Sequence, residues 1–211
     1  MPIEGNLYHP GNLVALWQIS GRIAVVASGD TVQLRKYLRT ATSAKHDALD
    51  ATVEPGDLSV RETYVEFLSR QLIARRPVER WMSGHAAELP APPPTSRLIE
   101  SDLEMLHADI PESRHKFDPP AGANAIGMAW AIAGSQLGNR MMLKTLRDSG
   151  ADLPAAFLSD DAMTQYWKTL RPQIETGVSP EDAERAALGA NAVFDHFLLA
   201  FGASAANRLA A

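Results

Sequence analysis

The chain has no cysteine among its 211 residues. That absence excludes disulfide scaffolds, thiolate nucleophiles, iron–sulfur clusters and cysteine-based zinc sites. Positive charge is also scarce, because 25 acidic residues outnumber 20 lysines and arginines and leave a formal net charge of −5. A protein that binds nucleic acid through its phosphates carries a basic field. The composition therefore argues against general nucleic-acid binding.

Long apolar runs are missing as well. The most apolar stretch, residues 13–28, is interrupted by Gln18, Ser20 and Arg22. It is too short and too polar for a membrane span, which needs about 20 predominantly apolar residues. The residues before it include Glu4 and neither lysine nor arginine, unlike the basic start of a signal peptide. We therefore expect a protein that does not cross a membrane and resides in the cytoplasm.

Residues 1–29 and 30–211 differ in pattern. Within residues 7–27 two short apolar groups flank an Ile-Ser-Gly-Arg tetrad, which fits a β-hairpin, an irregular arm, or translated sequence upstream of the true start. From residue 30 onward, capping residues and prolines predict a single all-α domain. Its helices are predicted at about 31–53, 59–77, 77–81, 95–106, 123–148 (the longest), 159–177 and 179–202.

His46 is the first residue that a plain helical bundle would not need. It lies on the apolar stripe of its predicted helix, together with Leu38 and Leu49. Histidines on such a face are often core residues whose ring nitrogens are satisfied by neighbours. A neutral imidazole on an apolar wall is also how proteins hold haem iron from one side. The pattern leaves both interpretations open.

Three glycines in the 123–148 segment form the second unusual feature. Gly127, Gly134 and Gly138 recur at spacings of seven and four, which places them on nearly one helix face. Each costs about 0.5–1 kcal/mol relative to alanine in a helix interior. Such a bare face favours either close contact with another helix or a flat ligand lying against the backbone. Glycines there would also permit a kink.

Cations near these faces are the third feature. Arg39 stands two helical turns before His46, while Lys144 and Lys168 follow the glycine segment and Trp167. Single lysines and arginines are usually solvated surface charges. They are also the natural partners of an anionic ligand's carboxylates.

These segments resemble the haem oxygenases, and most closely the bacterial, biliverdin-producing branch associated with bacteriophytochromes. Residues 38–50 (LRTATSAKHDALD) resemble the proximal-helix motif of that family, and residues 127–138 (GMAWAIAGSQLG) resemble its distal-helix motif. Three shorter segments, residues 98–106, 165–168 and 190–197, resemble other family helices in the same order. The resemblance covers roughly residues 34–201 and implies the haem oxygenase-like helical fold.

The resemblance also implies a reaction and a set of site residues. Haem b would be both cofactor and substrate, cleaved to biliverdin, CO and Fe²⁺ with O₂ and electrons from an external ferredoxin- or reductase-type donor. A bilin photoreceptor would be a functional partner. His46 matches the iron ligand, and Ser135 could join a distal water network, although its hydroxyl could equally serve the helix itself. The other positions implied to contact haem are Arg39, Gly134, Gly138, Lys168, Phe194 and Phe201. Lys144 is a further candidate for haem binding, as a cation that follows the glycine segment.

Two departures from the family pattern keep other functions open. Ala133 stands where the branch usually has glutamate, and Arg140 stands close to the distal face. These residues favour, as an alternative, a non-catalytic haem or bilin carrier on the same fold. A non-haem di-iron oxidase is a further alternative, because two Glu-x-x-His pairs occur at residues 104–107 and 112–115. A plain helical interaction module is the remaining one.

Overall fold

The computed structural model describes residues 31–52, 58–85, 89–113 and 116–208. Within these ranges the protein is mostly helical, which confirms the all-α prediction, and a two-stranded sheet is added to the helices. The predicted N-terminal arm and hairpin lie outside the described residues. The elements are β1 Val32–Gln33, α1 Leu34–Thr52, α2 Arg61–His85, α3 Ser96–Met105, α4 Ala125–Gly134, α5 Gln136–Asp148, α6 Ala156–Ser159, α7 Ala162–Ile174, β2 Gly177–Val178 and α8 Pro180–Arg208.

Helix α2 continues through Pro77, so the predicted end at this proline and the separate short helix after it are wrong. A proline inside a helix removes the N–H that would bond to the carbonyl four residues earlier. In α2 that carbonyl belongs to Ile73, and the hydroxyl of Ser113 donates to it at 3.1 Å. A donor from outside the helix thus compensates for the missing one.

The glycine segment is two helices rather than one. α4 ends at Gly134 and α5 begins at Gln136, with Ser135 at the break. This confirms that the segment can kink, and α5 ends as predicted before Gly150, which has a φ of +74°. The prediction that this is the longest helix is wrong, because α8 has 29 residues and continues past Gly202.

Two helix starts in the second half of the chain involve acidic side chains. At the helix start predicted at residue 179, Ser179 and Asp182 form a capping box, in which the Ser179 hydroxyl donates to the Asp182 carboxylate at 2.8 Å and accepts from its N–H at 3.1 Å. Ser159 does not cap a helix as predicted, because it is the last residue of α6. The start of α6 is instead capped by Asp102, whose two carboxylate oxygens each accept a backbone N–H at 2.9 Å.

Helix α8 is the common partner on which the candidate site is built. It packs against α1 along one side of its length and against α4 along another, and it also contacts α2. The strand β1 directly before α1 pairs antiparallel with β2, two residues before α8 begins. The start of α1 is thereby joined to the start of α8. A second apolar core lies between α2, α3 and α6.

The described helices include none that is long and apolar enough to cross a bilayer.

Candidate functional site

His46 lies on α1 with its ring half-buried, and 31% of the side chain is exposed. It is therefore not a fully enclosed core histidine. Its Nδ1 atom is 3.1 Å from a carboxylate oxygen of Asp50, one turn further along α1. That hydrogen bond raises the pKa of His46, while partial burial acts in the opposite direction. A carboxylate at Nδ1 fixes the ring orientation and leaves Nε2 as the nitrogen suited to bind a metal.

The wall beside His46 comes from α8. The rings of His46 and Phe194 have centroids 5.9 Å apart and are tilted by 59°. On the same interface Lys45 forms an ion pair of 2.5 Å with Asp195, and the amide of Asn191 donates to the Ala41 carbonyl at 3.4 Å. The structure thus brings together two residues of the predicted site, His46 and Phe194, from opposite ends of the described chain.

The three glycines have two different environments. A Cβ on Gly127 would sit 1.7 Å from the Ala186 carbonyl oxygen, so this glycine is required by the contact between α4 and α8. A Cβ on Gly134 would have no other atom within 4 Å, apart from its chain neighbours and helix backbone. At Gly138 it would meet only the flexible end of Met142 at 3.7 Å. Close helix packing explains Gly127, whereas Gly134 and Gly138 present bare backbone to open space.

Two large apolar side chains on the same helix were missed by the sequence analysis. Leu137 and Met141 on α5 are 56% and 42% exposed. They stand beside Gly138, at positions that share one side of the helix. Large apolar residues next to bare backbone on an open face are characteristic of ligand sites. The sequence contained a signal for them, because Leu137, Gly138 and Met141 stand three, four and seven residues after Gly134, the spacing of one helix face.

Ser135, at the break between α4 and α5, has a hydroxyl with two described partners. It donates to the Ile132 carbonyl at 2.9 Å and accepts from Nη2 of Arg75 at 2.6 Å. The hydroxyl proton of Ser135 therefore bonds to the helix's own backbone, as one of the two interpretations of this residue expects. Arg75 was not among the predicted site residues, although it lies on the apolar stripe of α2 with Leu68, Leu72 and Val78.

The predicted cations differ in their surroundings. Arg39 is half-buried on α1. Lys144 is exposed and pairs with Asp148 of its own helix, and Lys168 is exposed and donates to Gln165 at 3.4 Å. These two lysines have the environment of ordinary surface charges. Arg140 pairs with Asp161 at 2.9 Å and donates to Thr164 at 3.1 Å, which directs it toward the start of α7.

Two further positions lie in the protein interior. Phe201 is 2% exposed, and the guanidinium carbon of Arg70 lies 5.8 Å from its ring centroid. Phe201 therefore belongs to the packing between α2 and α8. Ala133, at the position where the resembled family has glutamate, is 1% exposed within the apolar core. A charged side chain there would face apolar neighbours.

The first Glu-x-x-His pair does not lie on a helix face. α3 ends at Met105, and His107 follows it with a φ of +49°, so Glu104 and His107 do not share a helical turn. Residues 111–113 are outside any helix, and His115 lies outside the described residues. Within the described ranges, groups of three or more metal-ligating side chains are absent. The geometric basis of the di-iron alternative is thus removed for the first pair.

The candidate site consists of the imidazole of His46 on α1 and the open glycine face of α4 and α5. Of these three helices, α1 and α4 both pack on α8. The chain matches no protein-family model and no curated protein.

Proposed function

We propose that the protein is a haem oxygenase that binds haem b through His46 and cleaves it to biliverdin, CO and Fe²⁺. The observation that carries the proposal is the difference between Gly127 and the pair formed by Gly134 and Gly138. Close contact with α8 requires the glycine at Gly127. Gly134 ends α4 and Gly138 lies in the first turn of α5, and within the described residues no neighbouring helix requires either glycine. At these two positions we infer that the gain is a flat ligand close to the backbone.

The described residues fit haem in three respects. Asp50 holds Nδ1 of His46, as carboxylates commonly orient metal-ligating histidines. Phe194 provides an apolar wall beside the imidazole, and Leu137 and Met141 provide apolar cover next to the glycine backbone. Arg39, two turns from His46, is the cation best placed to meet a propionate, because Lys144 and Lys168 have surface environments.

The bound haem would supply the iron centre at which O₂ and electrons from an external ferredoxin- or reductase-type donor react. The residues of the chain would orient the ring, exclude water and keep acidic groups away from the distal face. Ser135 suits this role, because its proton is donated to the Ile132 carbonyl rather than toward the open face. The chain's own backbone at Gly134 and Gly138 would then be the nearest protein surface.

A hemin titration followed by absorption tests the proposal. We expect saturable one-to-one binding, followed by loss of the haem bands and growth of a biliverdin band when ascorbate and air are added with catalase present. Failure to bind hemin would overturn the proposal. Binding that is never followed by biliverdin would overturn the catalytic part and leave a haem carrier.

The carrier is the second candidate, and Ala133 is the observation that favours it. A buried methyl group replaces the carboxylate that the resembled branch usually has beside the first distal glycine. The variant Ala133→Glu, compared with the unsubstituted protein in the same reaction, separates the two functions, provided that its unfolding temperature shows that it folds with a carboxylate in the apolar core. If turnover requires that carboxylate, biliverdin would form only in the variant. The supply of product to a bilin photoreceptor is part of the proposal and follows from the resemblance. A cytoplasmic location is also part of it and follows from the short, interrupted apolar stretch and the acidic start of the sequence.

A further inference from the structure

Arg75 is the largest of the fully buried side chains, with only 1% of its surface exposed. It comes from the middle of α2 and lies between aromatic rings, 5.0 Å from the centroid of Phe157 and 5.7 Å from that of Phe197. Its Nε donates to Gln71 at 3.1 Å, and its Nη2 donates to Ser135 at 2.6 Å. One side chain thus joins α2 to α6, to α8 and to the break between α4 and α5.

Burial of this guanidinium is energetically costly. Desolvation lowers the pKa of Arg75 to about 10, and the nearby carboxylate of Glu79 opposes that change. The group therefore stays charged at neutral pH. An apolar side chain of similar volume at such a position is often neutral or stabilising for the fold. Stability alone is a weak reason for an arginine here, whereas a defined hydrogen bond to Ser135 is a specific one.

The break at Ser135 has two local causes and one distant one. Glycine followed by serine is a common site of helix kinks, and a serine hydroxyl bonded to a preceding carbonyl bends a helix. Gly134 and Ser135 supply both features, with Ser135 bonded to Ile132. Local features make the segment able to bend but do not fix the angle. The distant contact, from Arg75, is charge-assisted and comes from a rigid helix.

We infer that Arg75 is a positioning residue: through the hydroxyl of Ser135 it fixes the angle between α4 and α5, and so the place of the bare glycine backbone over a bound haem. The part of this inference that concerns haem rests on the proposed function. The hydrogen bond from Arg75 to Ser135 does not depend on that function. Arg75 does not itself touch the open face, since it is enclosed on all sides.

Four variants test this inference in the full-length protein. Ser135→Ala removes the acceptor with little change in volume, and Ser135→Thr keeps the hydroxyl. Arg75→Met removes the charge and keeps much of the bulk. Arg76→Met is the matched control, because Arg76 is the next residue of α2 and pairs with Glu100 of α3 instead of the break. Three quantities are measured: amide hydrogen exchange over residues 132–142 without hemin, the hemin dissociation rate, and the temperature of unfolding.

We expect Ser135→Ala and Arg75→Met each to accelerate amide exchange across residues 132–142. We expect both to speed hemin dissociation about tenfold, the order of effect that a charge-assisted hydrogen bond can produce. A double variant that combines Ser135→Ala with Arg75→Met should resemble the two single variants, because each substitution removes the same contact. Ser135→Thr should behave like the unsubstituted protein, and Arg76→Met should alter neither exchange nor dissociation.

A purely structural role for Arg75 predicts a different result. The unfolding temperature of Arg75→Met would fall. In Ser135→Ala, however, amide exchange across residues 132–142 and the hemin dissociation rate would equal those of the unsubstituted protein. This combination of results would overturn the inference. The exchange measurement uses protein without hemin. If the unsubstituted protein binds no hemin, the proposed function fails. The contact between Arg75 and Ser135 is still tested by amide exchange: faster exchange in Ser135→Ala supports its role in fixing the helix angle, and unchanged exchange refutes that role.

Discussion

Gly127 of α4 lies directly against Ala186 of α8, so closely that a Cβ on the glycine would be 1.7 Å from the alanine's carbonyl oxygen. Gly134, one residue before the helix break, has no comparable neighbour. Two glycines seven residues apart in the sequence therefore have unrelated reasons to be there. One permits two helices to touch, and the other leaves a surface open.

The first prediction compares alanine at these two positions. Gly127→Ala should lower the free energy of unfolding by about 3 kcal/mol or more, since the backbone of α8 would have to move. Gly134→Ala should leave it unchanged or raise it by up to about 1 kcal/mol, because alanine favours a helix. Hemin affinity should fall in Gly134→Ala nonetheless. Chemical denaturation and hemin titration measure the two effects, and unaltered hemin binding in Gly134→Ala would contradict the proposed site.

The second prediction concerns the proposed iron ligand. His46→Ala should abolish the absorption spectrum of imidazole-ligated haem and weaken hemin binding more than any other single substitution in the site. Asp50→Asn should weaken it by about 10- to 100-fold, the usual effect of removing a carboxylate that orients a metal-ligating histidine. His85→Ala is the control, because His85 is an exposed histidine at the end of α2. A haem spectrum in His46→Ala identical to that of the unsubstituted protein would contradict this assignment.

The third prediction is a pH dependence. Asp50 raises the pKa of His46 above its ordinary value of 6.5 in the folded protein. The stabilisation from the protonated pair is therefore complete below about pH 6.5 and is lost as the pH rises through the folded-state pKa. An NMR titration of the imidazole should give a pKa above 6.5, and Asp50→Asn should lower it. The prediction is wrong if the variant titrates at the same pH.

The fourth prediction concerns the proline inside α2. Ser113→Ala should lower the free energy of unfolding by about 1 kcal/mol, since the Ile73 carbonyl would lose its donor. Ser113→Ala should lower the free energy of unfolding by less in a Pro77→Ala background, because alanine restores the backbone N–H that bonds to the Ile73 carbonyl. A double-mutant cycle by chemical denaturation measures this difference. Equal costs in both backgrounds would mean that Ser113 does not compensate for the proline.

Local signals predicted most of the helices. The capping box at Ser179 and the helix end before Gly150 depend on neighbours within a few residues, and both were confirmed. Errors occurred where a distant side chain decides the outcome. Ser113 acts on α2 from 40 residues away, and Arg75 reaches Ser135 across 60. Neither partner can be read from the spacing around the affected residue.

The candidate site could be predicted only in part for the same reason. The helical spacing identified Gly134 and Gly138 but could not distinguish them from Gly127, because the difference depends on where α8 lies. Exposure of Leu137 and Met141 is likewise a property of packing. His46 was identified by its motif, and its partner Asp50, four residues later, was within reach of the same local analysis.

The register between α1 and α8 has a consequence for how the protein is made. Ala41 meets Asn191, and Lys45 meets Asp195, each pair 150 residues apart in the chain. A ribosome that adds about 5–20 residues per second needs on the order of ten seconds or more between the two helices. During that interval α1 and its histidine exist without the wall that Phe194 provides. The contact between His46 and Phe194 is therefore completed late in synthesis, and under the proposed function haem would be captured only after α8 has formed.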